Sequence, residues 1–107
     1  MSLSTHVLDL RSGLPASGIS VMLTHENTRV AQGVTDADGR YADFFATGAL
    51  QVGQYQMTFH VGPYFAAQSV ETFYDQIPIV FVVQDAERHH HVPLLLSPFG
   101  YSTYRGS

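Results

Sequence analysis

The chain has 107 residues, 45% of them hydrophobic, which suits one domain (1–107) with a real core. Cysteine is absent, which excludes disulfides and thiolate metal sites. The formal charge is -4 and the 5 basic residues, all arginines, are scattered along the chain, so they do not make the basic stripe usual in a nucleic-acid binder.

The first predicted strand runs from Ser4 to Asp9, with Leu3, Thr5 and Val7 pointing one way and Ser4, His6 and Leu8 the other. Arg11 to Pro15 reads as a turn. Ile19 to His25 is a second strand, Glu26 to Thr28 a short hairpin loop, and Val30 to Thr35 a third strand. Asp36-Ala37-Asp38-Gly39 is a turn, with Gly39 available for positive φ. It resembles the start of a calcium loop but lacks the downstream glutamate. Arg40 to Ala46 is a short fourth strand, followed by a loop bracketed by Thr47-Gly48 and Gly53.

Gln54 to Val61 alternates cleanly, with Tyr55, Met57, Phe59 and Val61 on the core side. Gly62-Pro63 changes the period, and the spacing of Ala66, Val70, Phe73 and Tyr74 predicts one helix over 64–73. Pro78 closes that region and Ile79 to Gln84 is the next strand. Asp85 to Arg88 is a turn, and His89 to Ser97 and Tyr101 to Arg105 are the last strands. About eight short strands with frequent turns predict an all-β sandwich.

In His89 to Ser97, Val92, Leu94 and Leu96 share one face, while Pro93 and Leu95 share the other with His91. Apolar residues on both faces predict that the second face is covered, most simply by another subunit. Pro93 argues against a central strand, because it has no N–H for the ladder.

Six histidines are many for this length, and three are consecutive, His89 to His91. The closing stretch from His89 to Ser107 gathers imidazoles, tyrosines and an arginine, and it marks the expected site, with the terminal carboxylate of Ser107 beside Tyr104 and Arg105. If the first and seventh strands share a sheet, His6 and His91 face the same side. They then form a general acid–base pair, or are two histidines satisfied locally. A His-x-His pair with a third histidine also has zinc-ligand spacing, but no carboxylate is placed to support it. Arg40 is either a solvated surface group or a bidentate anchor for a planar, electron-rich substrate. Tyr104 either pairs across strands or aims its hydroxyl at a ligand. No nucleophile elbow and no phosphate-binding glycine loop are present. No apolar run spans a bilayer, and Met1 to His6 lack a signal-peptide pattern, so no membrane partner is expected and the expected compartment is the cytoplasm.

Three stretches carry a family resemblance: Ser4-Thr5-His6-Val7-Leu8-Asp9 with Gly13-Leu14-Pro15-Ala16, Thr35-Asp36-Ala37-Asp38-Gly39-Arg40, and His91-Val92-Pro93-Leu94-Leu95-Leu96-Ser97-Pro98 leading to Tyr104-Arg105-Gly106-Ser107. Over essentially its whole length the sequence resembles the transthyretin-related family, and within it the 5-hydroxyisourate hydrolases. That resemblance implies a β-sandwich of two four-stranded antiparallel sheets with one short helix, assembled as a homotetramer. It implies 5-hydroxyisourate as substrate, no cofactor and no metal. It assigns His6, Arg40 and His91 to catalysis, and His6, Arg40, Tyr104 and Ser107 to substrate binding. His90 stands where the family commonly has tyrosine, and this bears on packing inside the sandwich. The alternative is a non-catalytic carrier or interaction module of the same fold.

Overall fold

The structure is a computed structural model, and it describes residues 3–45 and 49–107. The described residues form two sheets and one short helix. The first sheet holds β1 (Leu3–Asp9), β2 (Leu14–Pro15), β5 (Arg40–Tyr41), β8 (His90–Ser97) and β9 (Gly100–Thr103). Its order is β2-β1-β8-β9, with β5 also bonded to β1. The second sheet holds β3 (Ser20–His25), β4 (Thr28–Val34), β6 (Gly53–His60) and β7 (Gln76–Val83), in the order β4-β3-β6-β7.

The sandwich is the expected fold class, with two differences in the first sheet. It has five strands, two of them only two residues long, and β1 pairs with β8 in parallel. A parallel return needs a long crossover. Here the whole second sheet lies between Asp9 and His90 and supplies it.

Period-2 patterning positions the core. Along β1, Leu3, Thr5, Val7 and Asp9 are buried while Ser4, His6 and Leu8 are half-buried on the opposite face. Leu3, Val7, Leu94 and Leu96 join Val21, Leu23, Met57, Phe59 and Ile77 in one cluster between the sheets. Each such side chain contributes about 1.5–3 kcal/mol by leaving water. Buried polar groups on this inner face are matched. Thr5 Oγ1 donates to the Val92 carbonyl at 2.6 Å, tying β1 to β8. Asp9 accepts from Arg11 N–H at 2.8 Å and from the Tyr64 hydroxyl at 2.7 Å.

Several expected boundaries move. Leu14 and Pro15, expected within a turn, also bridge to β1. The β3–β4 hairpin closes through Glu26 and Asn27 alone, both left-handed at φ 50° and 68°, as a two-residue turn requires. Only Arg40 and Tyr41 of the expected fourth strand are paired. The rest of that expectation, and the loop assigned at Thr47-Gly48, reach into residues 46–48, outside the described residues. Pro78 lies inside β7 instead of closing the preceding segment, and an edge strand tolerates a residue without an N–H.

The helix, α1, spans Val61–Ala66 instead of 64–73. It begins straight from β6 because the Val61 and Gly62 N–H groups both donate to the Asp75 carbonyl at 3.0 Å. It ends where Ser69 turns left-handed at φ 57° and Val70 N–H closes on the Phe65 carbonyl. The helical spacing of Phe73 was coincidental. Its N–H donates to the Pro98 carbonyl and its ring is 76% exposed. No helix among the described residues is long and apolar enough to cross a membrane.

Pro93 is resolved by where the ladder stops. Pairing of β8 with β9 ends at Leu94 opposite Thr103, so no β9 partner needs a donor from residue 93. Thr103 Oγ1 instead donates to the Pro93 carbonyl at 2.7 Å. β9 therefore ends two residues short of the expected Arg105, and Tyr104 to Ser107 leave the sheet as a tail.

Candidate active site

The parallel pairing of β1 and β8 puts Ser4 opposite His91 and His6 opposite Pro93. Residues paired in register point to the same side of a sheet. Ser4, His6, Pro93 and His91 therefore share the outward face. On the other flank of β1, β5 sets Arg40 opposite His6. His6 thus sits in a row between Arg40 and Pro93, with His91 one step along the neighbouring strand. Three expected site residues, from the start, middle and end of the chain, meet on one sheet face.

Arg40 is held by its turn. The Asp36 carboxylate accepts from Asp38 N–H at 2.9 Å and from Arg40 N–H at 3.0 Å. Gly39 adopts φ +73°, and its carbonyl accepts from Val7 N–H at 2.8 Å. A Cβ at Gly39 would lie 2.5 Å from the Val7 carbonyl oxygen, so only glycine lets this turn press against β1. The Asp36-Ala37-Asp38-Gly39 motif is a turn that delivers Arg40, not an ion loop.

His91 is half-buried, and its imidazole is held below the ordinary 6.5, chiefly by burial and then by the charges of Arg40, His89 and His6. A hydrogen bond that the ring donates to the Ser4 backbone opposes this shift. The net result favours a neutral ring able to accept a proton near neutral pH. Ser4 Oγ lies 2.8 Å from His91 Nδ1 and 2.9 Å from His89 Nε2. Among the described residues no three His, Cys, Asp or Glu side chains converge as metal ligands. His90 faces the interior, where its Nδ1–H donates to the Arg88 carbonyl at 2.8 Å, so the three consecutive histidines do not act as one set.

The tail returns to this site. Gly106 N–H donates to the His91 carbonyl at 2.8 Å. A Cβ on Gly106 would collide with the His91 ring, meeting Cδ2 and lying 3.0 Å from Cγ. Tyr104 is exposed, and with His91, Ile79, Phe81 and Thr103 it lines a cleft of about 220 Å³ between β7 and the tail. Ser107 is exposed beyond Gly106. A larger cavity, about 540 Å³, lies elsewhere, between His25, Ala31, Tyr41, Phe44 and Tyr55, and holds none of the expected site residues. Within the His6–Arg40–His91 group, Arg40 is exposed while His6 and His91 are half-buried.

Ser4 was missed as a site residue. Its parity with His6 was visible, but its contact with His91 depends on a strand register between residues 87 positions apart.

Fold and site define a two-sheet β-sandwich that carries an imidazole–guanidinium cluster on the outer face of one sheet. The model of the HIUase/Transthyretin family matches residues 3–106. The chain belongs to that family. It is 42% identical over 109 residues to the 5-hydroxyisourate hydrolase of Salmonella typhimurium, covering 98% of this chain and 80% of that one. The structure of Klebsiella pneumoniae 5-hydroxyisourate hydrolase superposes with a TM-score of 0.90 at 42% identity, covering all of both chains. Sea bream transthyretin in complex with thyroxine superposes at 0.92 with 28% identity, covering 99% of this chain and 95% of that one.

Proposed function

We propose that this chain, as a single domain, is a 5-hydroxyisourate hydrolase that opens the substrate's six-membered ring to 2-oxo-4-hydroxy-4-carboxy-5-ureidoimidazoline. The observation that carries the reading is the convergence of His6, Arg40 and His91 on one sheet face. A carrier needs shape and apolar contact; two imidazoles beside a guanidinium suit proton transfer and charge stabilisation.

In this mechanism the neutral His91 removes a proton from water as the oxygen attacks a ring carbonyl carbon. Arg40 donates to the oxygen on which negative charge develops, a role its fixed N–H fork suits. The carbon–nitrogen bond breaks and His6 delivers a proton to the leaving nitrogen. The product carries the new carboxylate, and the two histidines exchange protons with solvent between turnovers. Tyr104 and Ser107, on the tail anchored at His91, complete the substrate-binding side. No metal or cofactor takes part.

The outward face of the first sheet also bears half-buried Leu8 and Leu95, paired with each other across β1 and β8. We assign its cover to further copies of the chain, as a homotetramer, and the compartment to the cytoplasm. The test is to add the protein to freshly generated 5-hydroxyisourate and follow ultraviolet absorbance. Decay well above the spontaneous rate, unchanged by chelator, supports the hydrolase. Binding without acceleration would identify a carrier, and loss to chelator would identify a metal enzyme.

A further inference from the structure

The outward face holds a serine to which the mechanism above gives no part. Ser4 and His91 are direct neighbours across the parallel β1–β8 pair, and strand parity puts His89 on the same side as His91. Ser4 Oγ contacts both rings, His91 at Nδ1 and His89 at Nε2, at 2.8 Å and 2.9 Å. A hydroxyl has one proton. With two lone pairs as well, Ser4 donates to at most one of these nitrogens and accepts N–H from the other or from both, so its proton links the tautomers of the two rings when it points to either.

Three arrangements satisfy this geometry, one of them with both rings donating N–H to Ser4. If Ser4 donates to His91 Nδ1, then His91 carries its proton on Nε2 and has no second lone pair for water. If His91 donates its Nδ1–H to Ser4 and the Ser4 proton points to His89 Nε2, His91 Nε2 is left with a lone pair. His91 can act as a base only where it donates its Nδ1–H to Ser4, and of those arrangements only the one with the Ser4 proton on His89 gives that proton an acceptor behind it. We infer that Ser4 is a positioning residue that fixes this tautomer, and that Ser4 and His89 form a proton relay behind His91; this inference rests on the reading of His91 as general base.

The relay balances. As water loses a proton to His91 Nε2, the Nδ1 proton passes to Ser4 Oγ and the Ser4 proton passes to His89 Nε2. No bond to carbon is involved and His91 ends neutral. The direction of transfer follows from charge. Arg40 on β5 and His6 on β1 flank His91 and disfavour a cation there, whereas His89 is exposed to water. The positive charge moves from the crowded face to the solvated edge, where it is released.

The test is the nitrogen-15 NMR spectrum of uniformly labelled protein at neutral pH, with His91 assigned by comparison with His91→Gln. The expected neutral tautomer has its proton on Nδ1. Ser4→Ala should shift His91 toward the Nε2-protonated form and lower kcat about tenfold, the scale of one lost hydrogen bond. KM should move little, and Ser4→Thr, which keeps the hydroxyl, should recover most of the rate. His89→Ala should keep the Nδ1 tautomer yet slow turnover by a smaller factor. A wild-type His91 protonated on Nε2 would overturn the inference. So would a full-rate Ser4→Ala enzyme with an unchanged tautomer. If Ser4→Ala does not fold, the wild-type spectrum and His89→Ala decide alone. A full-rate His91→Ala enzyme would instead remove the general-base reading, an outcome distinct from either.

Discussion

His91 takes its proposed role from its neighbours more than from its type. A ring that folding partly buries beside Arg40, His89 and His6 gives up its proton at lower pH than a free imidazole. The kcat/KM profile should therefore have an acid limb whose midpoint lies below 6.5, with the neutral form active. The same shift links pH to stability. Below 6.5 the unfolded chain binds a proton at residue 91 that the folded chain resists, so stability falls as the pH drops through that window. Above 6.5 both forms are neutral and the effect is absent. Denaturant unfolding at several pH values should show this slope, and His91→Gln should reduce it. For activity, His91→Ala should lower kcat by about 10²–10⁴-fold, the usual contribution of a positioned acid–base group. Arg40→Lys should not restore an Arg40→Ala enzyme, because a point charge does not reproduce the planar fork.

At the level of elements, two close approaches build the site, and both depend on glycine. Gly39→Ala places a Cβ 2.5 Å from the Val7 carbonyl at φ +73°. This should cost about 1–3 kcal/mol and move Arg40 off His6, which unfolding and kcat would both register. Gly106→Ala drives a methyl group into the His91 ring, so kcat should fall with little change in Tm. By contrast, Leu94→Ala in the buried face of β8 should cost about 2–5 kcal/mol in denaturant unfolding. These elements differ in how far they could be read from sequence. Alternation placed His6 and His91 on the outward faces of their strands, because parity is local. That β1 and β8 pair in parallel is a long-range fact, and with it the partnership of Ser4 with His91 was hidden. The helix was misplaced because the spacing of Val70, Phe73 and Tyr74 mimics a helical stripe, while the actual stop, a left-handed Ser69, carries no glycine to announce it.

For the whole molecule, the fold class was legible because short alternating strands and frequent turns admit few architectures other than a sandwich. The parallel pair was not, because pairing direction depends on where a chain returns after a long excursion. The both-sided apolar pattern of β8 leaves Leu95 half-buried on the outward face of the protomer. In the proposed tetramer that face is covered. Leu95→Glu should then lower the sedimenting mass and the activity together while circular dichroism keeps its sandwich signature. An unchanged particle would place the interface elsewhere. The central claim remains that His6 and His91 act as one unit, and a double-variant comparison of 5-hydroxyisourate decay tests it most directly. Groups that share one proton-transfer step are strongly non-additive. The account predicts that the His6→Ala, His91→Ala double variant is hardly slower than the worse single variant. Rate losses that simply multiply, or single variants at full speed, would contradict it.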